Sequence, residues 1–334
     1  MAFIDTDRFS ASLRQRSIAA NGDRLLIARL AGSQQENDLS EPVNCRGFGR
    51  VRHFRMQQYE DWSADPLPIV PAARALGQPV TATLRAQVFQ LAACNWRCWY
   101  CFVDFNRLAA DPNFGEYLSP NELVEMFVNE PQRASVLDLS GGQPDLVPEW
   151  TFWMMKAVER QGLHNEIFVW SDDNLSNDYF WEYLLPEQRA YMAAYPKYAR
   201  VACFKGYDPT SFSFNTLAPP ALFERQFQLY KRLLNEGFDM YAYVTFTNAP
   251  HGNVRDHVAS FVDALQGIHP NLPLRTVPLK IAVFQATGSR VTPVHRDALV
   301  FQHTIHEEWS EQIEKRYSAA ERSLSISEVS MRTL

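Results

Sequence analysis

Cys94-Asn-Trp-Arg-Cys98-Trp-Tyr-Cys101 gathers three of the chain's five cysteines into one short stretch. A thiolate is both a nucleophile and a metal ligand, so clustering of this kind asks for a chemical reason. The remaining two, Cys45 and Cys203, have no cysteine near them in sequence. An odd count, with no signal-peptide core at the N-terminus, argues against a disulfide framework and for metal binding in a reducing compartment. Three thiolates on one loop can take three irons of a cubane cluster and leave the fourth iron without a protein ligand. An open metal position is a place for a substrate or cofactor. A structural zinc site would want a fourth Cys or His at close spacing, and none follows; three inert buried thiols are the bland alternative.

With the aromatic Tyr100 ahead of its last cysteine, the spacing CxxxCxΦC resembles the signature of the radical S-adenosylmethionine (SAM) superfamily. The resemblance is sharpest at the triad and extends in topology over about residues 81–287. It implies a 4Fe-4S cluster on Cys94, Cys98 and Cys101, and SAM bound to the unique iron by its amino and carboxylate groups. It further implies reductive cleavage of SAM to a 5′-deoxyadenosyl radical that takes a hydrogen atom from an unassigned substrate. Tyr100 belongs to the expected cofactor site, and an electron donor such as flavodoxin or ferredoxin is the implied partner.

Candidate SAM contacts follow at the ends of later strands. Ser140-Gly141-Gly142-Gln143-Pro144 looks like the family's GGEP motif, which cradles the methionyl amine; Gln143 stands where that motif has Glu. Glycines there let backbone approach a ligand closely. Trp170-Ser171-Asp172-Asp173-Asn174 ends the next strand, and Ser171 and Asp172 are the candidates for the ribose hydroxyls, with helix capping as the competing use. Lys205 occupies the place of the Lys in the Asp-x-Lys of glycyl-radical activating enzymes, although Cys203 stands at the Asp position. Cys203 reads as a small buried hydrophobe, and Lys205 could equally be a solvated surface charge.

The same residues bear on the substrate. No cysteine follows Cys203, against the peptide-modifying groups with auxiliary clusters. The Lys205 strand resembles the branch of the pyruvate formate-lyase activating enzymes. Yet Phe102-Val103-Asp104 follows the triad where activases have His-Asn-Pro, so a small molecule competes with a partner protein as substrate. A non-catalytic iron–sulfur or zinc protein is the reading from another class. His303 and His306, three apart on a charged helix, read as solvated.

Placing these groups requires an alternating framework. Apolar runs at 86–92, 134–140, 166–171, 199–206, 240–247 and 278–285 alternate with helix-period segments, which implies a parallel sheet with right-handed crossovers. Ser119 followed by Glu122 is a helix-start signal. The expected fold is α/β: a partial (β/α)6 TIM-type barrel over 81–290. An N-terminal extension over 1–80 packs on it, and a helix and tail over 291–334 close it, with the last dozen residues frayed. The chain has 334 residues and a net charge of −6, against a general nucleic-acid surface. No apolar run spans a bilayer, and the expected location is the cytoplasm.

Overall fold

Short runs rich in β-branched and aromatic residues favour a buried pleated surface. They pair as strands in the computed structural model, which describes residues 3–20 and 22–331. The strands are β1 (Leu25–Ala28), β2 (Gly49–Arg55), β3 (Thr83–Phe89), β4 (Gly115–Leu118), β5 (Val136–Leu139), β6 (Phe168–Asp173), β7 (Tyr198–Phe204), β8 (Met240–Thr245) and β9 (Thr276–Leu279). The main sheet runs β2-β3-β5-β6-β7-β8-β9, with β2 antiparallel to β3 and every later pair parallel. Five of its six parallel strands overlap the runs the sequence marks; the sixth, β9, covers only Thr276–Leu279, so residues 280–284 of the expected run leave the sheet and Gln285 opens a short helix. The sheet curls into an α/β partial barrel of TIM type.

Helices Pro120–Val128, Glu149–Arg160, Phe223–Asn235 and Val254–Ile268 occupy the crossovers. The first begins as expected: Glu122 N donates to Ser119 Oγ and Ser119 N donates to the Glu122 carboxylate. Helix Pro293–Arg316 closes the structure against Val254–Ile268. Leu139, Val169, Phe204 and Val244 face the helices. Val136, Phe168, Trp170, Val201 and Tyr241 face the barrel interior, where Leu67, Ile69 and Ile326 form a floor. Covered on both faces, β5, β7 and β8 are buried along their whole length, so their sequences are nearly continuous apolar runs.

Residues 1–80 do more than pack on the barrel. Strand β1 pairs antiparallel with β4, and β2 extends the main sheet at its edge. Strand β2 (GRVRHFR) hid from the sequence reading because alternate positions carry Arg50 and Arg52 instead of apolar residues. The tail also departs from expectation. Ile326 and Val329 are buried, and Val329 O accepts from Arg275 Nε at 2.9 Å, so the chain is docked as far as Met331; residues 332–334 of the frayed segment lie outside the described residues. His303 and His306 are not simply solvated either, since both rings pack on Trp62. No described helix is long and apolar enough to cross a membrane.

Candidate active site

Beyond β3 the chain stays pinned. Ala28 N donates to Gln90 O at 2.8 Å, and Ala92 N to Leu26 O at 2.9 Å. The cysteine loop then closes on itself, with Cys94 N donating to Leu108 O at 3.1 Å and Cys101 N to Cys98 O at 3.0 Å. All three thiols are free and partly exposed. Two guanidiniums hold the loop's carbonyls: Arg97 Nη1 donates to Cys94 O at 2.6 Å and Arg290 Nη2 to Cys101 O at 2.6 Å. Burial lowers the pKa of both arginines while the neighbouring sulfurs act the other way, so cationic charge sits beside the triad. Asn174 Nδ2 lies 3.8 Å from Cys94 Sγ and donates to Asn95 Oδ1 at 3.0 Å. Asn95 in turn donates to Ser10 Oγ, which ties helix Thr6–Ser17 to the loop.

The expected SAM contacts divide into two sets. Gly141 and Gly142 adopt φ of +82° and +77°, and a Cβ on Gly142 would stand 2.4 Å from Leu91 O and 2.6 Å from Ala93 O. Only glycine lets this loop lie against the segment that carries Cys94. Gln143 is buried as a brace: its Nε2 donates to Asp173 Oδ1 at 2.7 Å, and its Oε1 accepts from Asn174 N at 2.9 Å. Gln143 thus fastens this loop to the end of β6. Pro144 is buried in the turn that follows. Asp172 and Ser140 meet on the inner face, Ser140 Oγ donating to Asp172 Oδ2 at 2.5 Å. Ser171, one residue away in a strand, necessarily points outward; its hydroxyl pairs with Tyr198 OH at 2.7 Å, so the structure does not bring it to the site.

Lys205 is half-buried at the end of β7. Burial pulls its amine down, but Cys203, Tyr100 and Cys98 outweigh it and hold the pKa well above the ordinary value. Burial pushes the Cys98 thiol up to about 12, with Lys205 opposing. Lys205 is therefore within electrostatic reach of Cys98 as well as of Cys203 and Tyr100. Asn215 orients this corner, donating to Lys205 O at 2.9 Å and accepting from Trp99 Nε1 at 3.2 Å. Tyr100 OH reaches Thr245 Oγ1 at 3.3 Å. Cys203 is buried on the inner wall beside Lys205.

Sequence reading missed the residues that hold these parts. Arg200, fully buried on β7, bonds Asp145 and Asp173, the latter at 2.8 Å, and so anchors the Gly-Gly loop from outside the barrel. A charged residue in the middle of an apolar strand was the available signal, and Asp138 in β5 carries the same one.

The donor set suits a cubane. Among the described residues, the group of three His, Cys, Asp or Glu whose ligand atoms all lie within 4.8 Å is Asp208, His251 and His257; the triad does not meet that spacing. One tetrahedral zinc with bonds of about 2.3 Å would hold its sulfurs about 3.8 Å apart, whereas one thiolate per iron spreads them. Asp208, His251 and His257 are engaged with one another, with Tyr207, and with the cap of helix Pro209–Thr216. A place for a polar cofactor is marked by Gln90, fully buried with neither amide atom bonded, whose Oε1 would lie 2.6 Å from a Cβ on Gly141. A cavity of about 1150 Å³ beside Arg74, Tyr195 and Arg275 opens elsewhere and is lined by none of these groups.

No protein-family model matches the chain, and no curated relative does. Solved structures of Streptococcus suis SuiB share part of the architecture. The form bound to S-adenosylmethionine is 14% identical over 67% of this chain and 46% of that one, with a TM-score of 0.45. The form bound to precursor peptide SuiA is 13% identical over 54% and 36%, with a TM-score of 0.38. This chain thus spans less than half the length of those neighbours. At that level of likeness, what this chain does rests on its own side chains.

Proposed function

We propose that the chain is a radical SAM enzyme carrying a 4Fe-4S cluster on Cys94, Cys98 and Cys101. The observation that carries the reading is a three-thiol loop after the first parallel strand of a partial barrel, with the Gly141-Gly142 turn against its root and Asp172 and Lys205 at the ends of later strands. When bound, a cluster held by Cys94, Cys98 and Cys101 together with SAM would supply one-electron reductive cleavage of the sulfonium, the electron coming from an external donor, and so the radical chemistry that removes a hydrogen atom from substrate. The chain's residues bind and orient. Carbonyls of the Gly-Gly turn accept from the methionyl ammonium. Lys205 meets the carboxylate as a point charge. Asp172 accepts from ribose hydroxyls, and Tyr100 and Trp99 exclude water. Arg97 and Arg290 offset the negative charge that thiolates and cluster add, and Asn174 donates to Cys94 sulfur.

Within this class Lys205 points toward the pyruvate formate-lyase activating-enzyme branch, while Phe102-Val103-Asp104 separates the chain from the activases. We place its substrate among small molecules, its reductant among flavodoxin- or ferredoxin-type donors, and its compartment in the cytoplasm. The test is anaerobic reconstitution, iron and sulfide analysis, and assay of 5′-deoxyadenosine from SAM with dithionite. About four irons per chain, with deoxyadenosine formed by the wild type and by none of the Cys94→Ala, Cys98→Ala and Cys101→Ala variants, is the expected result. A zinc-loaded protein, or a cluster that leaves SAM intact, overturns it.

A further inference from the structure

The inner wall below the triad carries a belt of charge for which the SAM site has no use. Strand alternation puts Asp138 on the same face as Ser140, one pleat deeper. Asp138 is completely buried, and neither carboxylate oxygen has a hydrogen-bond partner. Its nearest cation is Arg52 Nη1, at 3.6 Å from Oδ2. Two strands away on β2, with β3 between, Arg50 is 4% exposed and its Nε has no acceptor. Its guanidinium lies over the Phe102 ring, just past Cys101, with Asp138 and Asp172 acting on it only through space. Across the belt, Tyr243 OH donates to both oxygens of Asp65 at 3.1 Å, so that carboxylate is satisfied. Buried, hydrogen-bond-poor charges of both signs on one wall are held at a cost unless something pairs with them.

We infer that Arg50 and Asp138 form the two ends of a substrate site for a free, amino-acid-sized zwitterion: an anionic group on Arg50 and an ammonium on Asp138. Arg50's guanidinium suits a planar carboxylate, and Asp138's carboxylate, whose ion pair is the 3.6 Å contact of Oδ2 with Arg52, retains lone pairs for the donors of an ammonium. Size follows from the fold. One pleat repeat separates the residues Ser140 and Asp138, about 7 Å. The next residue down on that face, Val136, already belongs to the apolar floor with Phe54, Leu67 and Ile69. The apolar floor directly below Asp138 limits how deep a ligand can reach, which favours a small molecule. Phe102 connects the site to the triad, which places the bound molecule next to where hydrogen abstraction would occur. The assignment rests on the radical SAM reading for its chemistry, though not for its binding.

The test uses the full chain, cluster-loaded and with SAM present, in calorimetric titrations with the twenty proteinogenic amino acids and phosphoethanolamine. At least one probe should bind, and its N-acetyl and ester derivatives should each bind at least tenfold more weakly to the wild type. In Asp138→Asn the N-acetyl penalty should shrink severalfold, and in Arg50→Gln the ester penalty should do so, with iron content retained in both. The derivative series on wild type decides the matter should either variant misfold. Absence of binding by every probe overturns the inference, as does equal binding of the blocked derivatives. So does displacement of the probe by SAM with Arg50→Gln and Asp138→Asn weakening SAM instead, because the belt would then be a methionyl site. Deoxyadenosine formation without probe binding sinks this inference alone. Probe binding through Arg50 and Asp138 in a chain that never assembles a cluster sinks the radical reading and leaves the site standing.

Discussion

Replacing Gly142 by Ala tests whether the Gly-Gly turn is held against the cysteine loop. Two effects contribute. The residue sits at φ +77°, where an L side chain costs about 1 kcal/mol. In addition, the new methyl carbon would lie 2.4 Å from Leu91 O and 2.6 Å from Ala93 O, both backbone atoms of the segment leading into Cys94. Ala93 O is already committed to Gln143 N at 2.7 Å, so relief requires the two loops to separate. Overpacking that backbone must absorb costs about 1–3 kcal/mol. Gly162→Ala isolates the first effect, because Gly162 has φ +71° with nothing within 4 Å of its added Cβ. Urea unfolding of the two variants should give losses of about 3 kcal/mol for Gly142→Ala and about 1 kcal/mol for Gly162→Ala. Iron content after anaerobic reconstitution should fall only in the first. Equal stabilities, with full iron in Gly142→Ala, would refute the claim that this turn positions the triad.

Arg200→Met leaves Asp145 and Asp173 buried without their cation, and should cost about 3–5 kcal/mol in urea unfolding; adding Asp173→Asn should restore part of it, and a loss under about 1 kcal/mol would exclude the network as an anchor. Asp138, pushed from 3.8 up to about 7 mainly by burial, is stabler folded when protonated. Its contribution is present below the unfolded pKa and lost as pH rises through about 7. Asp138 should therefore account for a loss on the order of 2–4 kcal/mol over that window in the ligand-free wild type; melting curves of Asp138→Asn should show a shallower slope, with Asp145 and Asp65 keeping theirs, and parallel profiles would count against it. Asn174→Leu removes the donor 3.8 Å from Cys94 Sγ. It should lower the cluster's reduction potential by tens of mV, on the order of one N–H···S contact, as read by redox-poised EPR; an unchanged potential would deny the contact. Ser119→Ala should cost about 1 kcal/mol through the lost cap, and calorimetric melting showing no change would remove that cap from the account.

The sequence by itself determined the chemistry's address. Three thiols on one loop after an apolar run, a Gly-Gly turn one strand on and a lysine at a later strand end are local patterns, each legible because spacing along the chain sets it. The six parallel strands were legible for the same reason: continuous apolar runs between helix-period segments allow few other folds. Tertiary structure alone decided which side each residue serves. Ser171 and Asp172 are adjacent, yet the two-residue period of a strand turns Ser171 outward to Tyr198 and Asp172 inward to Ser140. That Gln143 braces the loop was not legible, because its partners Asp173 and Asn174 lie thirty or more positions away in sequence. Strand β2 is not legible because Arg50 and Arg52 break the apolar pattern, and the acidic residues that act on them, Asp138 and Asp172, come near only in the closed barrel. Local pattern is written in neighbours along the chain, whereas pairing of buried charge is written in contacts that exist only after the barrel has closed.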